Sequence, residues 1–429
     1  GEVGSGGSGS TLTFYTLGGT VSANPSSGSG GFGAAPFGLD EVDNRVLYFI
    51  MLSGGTGIEA DLIFDPTKFN GTPPTGYKAL SQDNLDESNS KVTAWAWIKS
   101  RDSDNTNHVW FDRVRGVEKL LTNNLVLPST TAAAETTNSN TVQRFLQRGV
   151  QVGNDDSVND ENNGYFLWQW LVGKSATTGT TLAVDSVSSG VPSIASTVLT
   201  SDAGNFSVGI YTGNDTQNQT IAHGLGGAPE FIIVRNRTDS RFGVAWHKDG
   251  GGANHTTDFA NPQSFSSNTA KFGGSESTLP NANVFKIGDH VEINGPSKDQ
   301  IFYAFRSIPG ICKVGSYKGN GAADGAVIVT GFKPRWILIK NIDDAEDWRI
   351  YDSAMDPHNP QIQFIKASSD ETEFTSSGID FLSTGFKCRD SNNGFNSTDT
   401  FMYMAMADIA GNNDNPPVYT YTPAFKGDN

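Results

Sequence analysis

One block of strand-forming sequence recurs along this 429-residue chain and limits the folds open to it. Near the C-terminus, TGFKPRWILIKNIDDAEDWRIYDS opens a block that FMYMAMADIAG closes. Upstream, HGLGGAPEFIIVRNRTDSRFGVAWHK opens another that IFYAFRSIPG closes. Arg235 and Lys340 end the first strand of each block and lie 105 residues apart; Tyr211-Thr-Gly-Asn and Tyr317-Lys-Gly-Asn are offset by 106. An earlier copy reads WAWIKSRDSDNTNHVWFDRVRG and then RGVQVGNDDSVNDENNGYFLWQWLVG, without the Tyr-x-Gly-Asn opening. Its landmarks keep step: Lys99 to Asp112 is 13 residues, against 12 for Arg235 to His247 and for Lys340 to Asp352. In the second half, Val150 to Leu167 is 17, Phe285 to Tyr303 is 18 and Phe386 to Tyr403 is 17. A fixed period with matched internal spacing marks repeated structural units.

Within each block, apolar and aromatic runs of strand length alternate with Asn/Asp/Gly/Ser/Thr turns, the pattern of antiparallel sheets packed face to face. Turns such as Gly226-Gly227-Ala228-Pro229 and Gly331-Phe332-Lys333-Pro334 lead into strands whose alternate residues face a core. The expected class is all-β: tandem antiparallel β-sandwich or jelly-roll-like modules behind an extended Gly/Ser-rich N-terminal arm. The chain divides into an arm at 1–40 and a small β region at 41–90, then copy 1 at 91–173, a linker at 174–204, copy 2 at 205–310 and copy 3 at 311–429. Strand-like runs also stand at 11–17, 45–52 and 60–64, and one short helix is expected near 112–121.

Charge and cysteine content narrow the function classes. A formal charge of −16 repels phosphate backbones, so nucleic acid is not an expected partner. Cys312 and Cys388 are too few for a disulfide scaffold or a cysteine zinc site. No apolar run is long enough to span a bilayer, so no membrane insertion is expected. No signal peptide is recognisable, and the chain opens on Gly rather than Met, as a trimmed, matured or partial chain would. The 26 Phe, 11 Tyr and 8 Trp supply ample apolar area for a core.

Motifs that carry chemistry are few. Gly28 to Gly33 satisfies GxGxxG, but it neither follows a strand nor opens a helix. His108, His223, His247, His255, His290 and His358 show no i, i+4 pair and read as turn or strand-end residues. Asp155, Asp156, Asp160 and Glu161 crowd one loop, whereas glycosidase carboxylates come from opposite sides of a cleft. Asp390, Asn392 and Asn396 around Gly394 approach a calcium-loop spacing without completing it. Trp95/Trp97 and Trp168/Trp170 are spaced two apart, each pair on one strand face, and are assigned to core packing. Aromatics on variable loops, Tyr77 or Phe265, suit sugar contact better. Asn214, Asn236 and Asn254 match Asn-x-Ser/Thr and read as turn residues. No catalytic, cofactor-binding or metal residue is assigned, no cofactor is expected, and binding residues stay unknown.

The segments YTGN…GLGGAPEFIIVRNR, GSYKGNGAADG…GFKPRWILIK, NIDDAEDWRIYDS and IDFLSTGFKCR, with KSRDSDNTNHVWFDRVRG at 99–116, together resemble a repeated domain of unknown function in tailed-phage virion proteins, notably of marine phages. Residues 62–85 resemble the end of a SPRY/concanavalin-like sandwich that often precedes it. The resemblance implies a non-enzymatic structural protein at the virion surface, assembled in the host cytoplasm. The expected role is a tail-fibre-type appendage presenting loops to a host surface glycan or protein. A capsid decoration or head fibre is the alternative reading, and a polysaccharide depolymerase a further one. Expected partners are other virion proteins and copies of the chain itself, as a trimer by analogy.

Overall fold

A computed structural model describes residues 12–16, 19–23, 91–102, 106–122, 134–146, 149–161, 163–173, 179–407 and 419–421. The chain forms two compact units, 1–86 and 87–429. In the first, the run expected at 11–17 forms strand Leu12–Thr16, paired antiparallel with Gly19–Ala23. The strand-like runs at 45–52 and 60–64 and the SPRY-like stretch at 62–85 lie outside the described residues. The second unit is nearly all β, built from antiparallel sheets as expected, with two single-turn helices among the described residues, Asp156–Asn159 and Val291–Asn294.

Each copy has the same frame. A core strand (Lys91–Ser100, Phe231–Asn236, Pro334–Asn341) pairs on one side with a return strand (Val109–Asp112, Val244–His247, Arg349–Asp352). On its other side lies the closing strand (Tyr165–Gly173, Asp299–Phe305, Thr400–Ala407). The closing strand then pairs with an opening strand, Phe206–Thr212 in copy 2 and Cys312–Lys318 in copy 3. A ribbon covers the outer face. Val142–Leu146 with Gly149–Val152 and Gln219–Ala222 with Val284–Ile287 are separate two-stranded sheets. Val327–Val329 with Gly385–Cys388 is the end of the copy 3 sheet, which continues to it through Gln361–Lys366 and Phe374–Leu382.

Strand alternation puts the two faces of every copy in different cores. Outward residues fill a private core: Ala96 and Ile98 in copy 1, Ile232 and Val234 in copy 2, Ile337 and Ile339 in copy 3. Inward residues from all three copies meet in one shared core. There the equivalent positions Trp95, Phe231 and Trp336 are buried together, with Trp97, Ile233 and Leu338 beside them. Closing strands add Trp168 and Trp170, Tyr303 and Phe305, and Met404 and Met406. Trp95 stacks on Trp170 at 4.0 Å and touches Tyr303 at 4.3 Å, so copies 1 and 2 share aromatic contacts. Trp170 meets Trp336 of copy 3 edge-on at 6.0 Å.

The three copies close a ring. Glu135 N of copy 1 donates to Arg237 O of copy 2 (3.0 Å), Phe265 N of copy 2 to Ile342 O of copy 3 (2.9 Å), and Glu373 N of copy 3 to Arg101 O of copy 1 (3.2 Å). Arg101, Arg237 and Ile342 each stand two residues past the Lys99/Arg235/Lys340 landmark, so one joint is made three times. Two of the joints add ion pairs, Arg237 with Glu135 (2.8 Å) and Arg101 with Glu373 (2.8 Å). The third has Phe265 and Ile342 in their place.

Among the described residues copy 1 has no opening strand in line, and strand Tyr419–Tyr421 fills that place beside the closing strand. The register is conserved: Tyr421 opposes Tyr165 as Tyr211 opposes Gln300 and Tyr317 opposes Phe401.

Three expectations differ from the structure. Residues 174–204 were expected as a connector, but Thr180–Leu182 and Ser196–Thr200 extend the copy 2 sheet beyond its opening strand. An edge strand needs backbone partners more than large side chains, which is why the low aromatic content misleads. No helix forms at 112–121. Gly116 (φ 99°) and Glu118 (φ 65°) adopt left-handed backbone between two strands, and Asp112 accepts from Arg115 N to close the turn. The third correction concerns register: Val234 pairs with Phe302 as Ile98 pairs with Leu167 and Ile339 with Tyr403. Phe302 rather than Tyr303 is therefore the counterpart of Leu167 and Tyr403, and the spacing from Phe285 becomes 17, as in the other copies.

Candidate functional site

Most of the polar residues singled out in the sequence are occupied by the frame. His108 accepts from Trp97 Nε1 (2.7 Å) and its Nε2 faces Lys366 O of copy 3 (3.0 Å), which fixes the neutral tautomer. Burial, with Lys99 nearby, pushes its pKa down to about 3. His223 accepts from Leu225 N and faces Asn281 O, and burial lowers it to about 4. Burial and the adjacent Lys248 bring His247 to about 3; its Nδ1 accepts from Asp249 N. His290 caps the Val291–Asn294 turn.

The acidic loop is a capped turn. Asp155 accepts from Ser157 N (2.9 Å) and Asn138 Nδ2 (2.6 Å), and Asp160 accepts from Asn163 Nδ2 (2.5 Å). In the calcium-like loop, Asn396 Nδ2 donates to Asn320 Oδ1, Ala322 O and Asp390 O, and Asn392 Oδ1 accepts from Gly394 N. Among the described residues, no three His, Cys, Asp or Glu side chains stand close enough to hold a metal ion. Asn214 and Asn236 accept from backbone N–H groups two residues on, as turn residues do. Phe265, expected to contact ligand from a loop, is buried at the joint of copies 2 and 3, 6.5 Å from Trp348. The four indoles expected in the core are buried there. Cys312 and Cys388 are free thiols, and burial pushes both up to about 12. Tyr77 and the GxGxxG at 28–33 lie outside the described residues.

Sequence reasoning missed the buried charge network joining copies 1 and 2. Arg115 Nε pairs with Asp112 at 2.5 Å with both side chains fully buried, and Arg115 Nη1 reaches Glu135 at 3.2 Å. Glu135 in turn takes a two-pronged contact from Arg237 (2.8 and 3.1 Å). Tyr303 Oη of copy 2 donates to Asp112 Oδ2 (3.2 Å). Burial opposes the charge on Glu135, but the hydrogen bond from Arg237 and the charge of Arg115 outweigh it and hold the carboxyl below its usual range. The counterpart of the Tyr303 contact is Trp168 Nε1 of copy 1 donating to Asp352 Oδ2 of copy 3 (3.1 Å). Cyclic order would give Met404 and His247 as the third pair. A thioether cannot donate, and His247 Nε2 is buried with no hydrogen-bond partner.

On the surface, a shallow depression of about 190 Å³ opens on copy 2 beside the added strands. Thr181, Thr197 and Thr212 supply hydroxyls, Asp299 a carboxylate and Arg237 a guanidinium. Thr212 Oγ1 donates to Asp299 Oδ1 (3.0 Å), and Arg237 is already held by Glu135. Such a site can hydrogen-bond vicinal hydroxyls. Among the described residues, no helix is long and apolar enough to cross a membrane.

These features define a ring of three β-sandwich copies whose buried polar groups serve the joints. The chain belongs to the family described as a domain of unknown function, DUF7483, whose model matches residues 77–409. No curated protein and no solved structure matches it.

Proposed function

We propose that the chain is a non-enzymatic structural protein of a tailed-phage virion, a tail-fibre-type appendage that presents loops to a host surface. One observation carries this reading: three copies of one frame share a rigid core and differ in their exposed loops. The connection from the opening strand to the outer ribbon spans 213–218 in copy 2 and 319–326 in copy 3. The connection into the second ribbon strand spans 268–283 in copy 2 but 383–384 in copy 3, while the strands keep register. Invariant scaffold with variable loops suits recognition. The depression at Thr197, Thr212 and Asp299 offers one contact for a sugar, and weak contacts multiplied over copies on a particle become strong attachment. The resemblance to virion proteins supplies the setting.

Gold-labelled antibody raised against residues 205–407 and imaged on intact particles tests the assignment. Label at the tail is expected, and purified chain should then compete with particles for adsorption to host cells. Label over the head would replace this reading with capsid decoration.

A further inference from the structure

The first strand of each outer ribbon is an edge strand, and these three edges are protected differently. In register, Arg144 of copy 1 corresponds to Thr220 of copy 2 and Val327 of copy 3; Leu146, Ala222 and Val329 correspond likewise. An open edge strand invites pairing unless it is charged or covered. Copy 1 carries Arg144, exposed on its edge. Copy 2 covers its edge with its own chain. Ser193 N and Ile194 N both donate to Thr220 O (3.1 Å each), Thr220 N donates to Ser193 Oγ (2.8 Å), and Ile194 bridges Ile221 in parallel. Among the described residues, copy 3 has neither device. Val327 and Val329 are 58% and 69% exposed, Val329 more than any other large apolar residue among those described.

The register shows which groups point outward. Cys388 N donates to Ala326 O and Thr330 N to Thr384 O, so residues 326, 328 and 330 bond inward to residues 384–388. The N–H and C=O of Val327 and Val329 therefore face away from the ribbon. The segment is also self-complementary. Gly325-Ala326-Val327-Ile328-Val329-Thr330-Gly331 is nearly symmetric about Ile328 and carries no charge. Antiparallel pairing about that centre sets Val327 of each copy opposite Val329 of the other, in hydrogen-bonded pairs with four valines on one face.

We propose that the edge strand Val327–Val329 is a homotypic docking site, which joins a second copy of this chain by continuing the copy 3 ribbon across a two-fold axis. Sedimentation of the full chain from micromolar to near-millimolar concentration should show a monomer–dimer equilibrium. Val329→Lys should weaken it at least about tenfold while leaving the circular dichroism spectrum unchanged. Register is tested by mixing Val327→Cys chains with Val329→Cys chains. The mixture should form disulfide-linked dimers faster than either variant alone, because hydrogen-bonded partners lie about 5.5 Å apart at Cα, within disulfide reach. In the unmodified chain, exchange of the Val327 and Val329 amides should slow as concentration rises. A chain that stays monomeric throughout overturns the proposal. So does association that survives Val329→Lys, or cross-linking that is no faster in the mixture.

Discussion

Asp112 and Arg115 show how sharply the ring depends on single side chains. Both are fully buried, and each satisfies the other's charge while also meeting the second copy through Tyr303 and Glu135. Removing one member of such a pair leaves an ion stranded in the interior, which costs about 3–5 kcal/mol. Asp112→Ala should lose that much in urea denaturation, and Tyr303→Phe, which removes only a donor, about 1 kcal/mol. The buried histidines set a pH dependence whose sign follows from their environment. His108, His223 and His247 take a proton near pH 3 to 4 in the fold, against 6.5 for a free imidazole. Below pH 6.5 the unfolded chain binds protons that the folded chain refuses. Their contribution is therefore complete above 6.5 and is lost as the pH falls. Each histidine removes up to about 1.4 kcal/mol per pH unit in that window. Urea titrations at pH 7 and pH 5 should show the fall, ahead of the carboxylates, and an unchanged midpoint would contradict the neutral-histidine assignment.

The Tyr-x-Gly-Asn strand end has a physical reason at every position. Tyr211 Oη donates to Ile293 O and Tyr317 Oη to Phe395 O, both at 2.6 Å. Asn214 N and Asn320 N donate to Asn294 Oδ1 and Asn396 Oδ1. Between them, a Cβ on Gly213 or Gly319 would run into the backbone at 294–295 or 396–397. Gly319→Ala should therefore cost about 1–3 kcal/mol as overpacking, whereas Ala at Gly310, with open space around it, should bear only the strain of its positive φ. Thermal melts of the two variants compare them directly. The motif was legible in the sequence because its chemistry is local to one strand and repeats at a fixed offset. The partner residues Asn294 and Asn396 were not, since each sits about 80 residues downstream, Asn294 at the end of a single-turn helix and Asn396 in an Asn-rich turn. Strand alternation was legible for the same reason. Trp95 and Trp97 share a face whatever the tertiary structure, but nothing in their spacing says that the face belongs to a core common to three copies.

At the scale of the molecule, repetition predicted the parts and missed their assembly. The ring is closed by contacts between residues far apart in sequence, such as Arg101 with Glu373, and one joint exchanges ions for Phe265 and Ile342, so no shared motif marks the interfaces. Closure has a consequence for cooperativity. A lone copy 2 would expose Phe206, Phe231, Tyr303 and Phe305, all buried in the shared core, and would also lose Arg237's partner Glu135. Tens of square ångströms of apolar surface per side chain, at about 25 cal/mol per Å², amount to several kcal/mol that its private core must supply alone. Residues 205–310 expressed by themselves should therefore fail to give a sharp melting transition, whereas the 87–429 unit should unfold in one. Strand Tyr419–Tyr421 adds the last element, since it gives copy 1 the opening strand that the other copies carry in line. A chain ending at Ala407 keeps all three interfaces but bares the edge of Tyr165–Gly173. Hydrogen exchange in that chain should accelerate first at Tyr165–Leu167, where Tyr419–Tyr421 pairs, and leave Asp299–Phe305 and Thr400–Ala407 protected. Equal acceleration in all three closing strands would mean instead that the C-terminal strand holds the whole ring together.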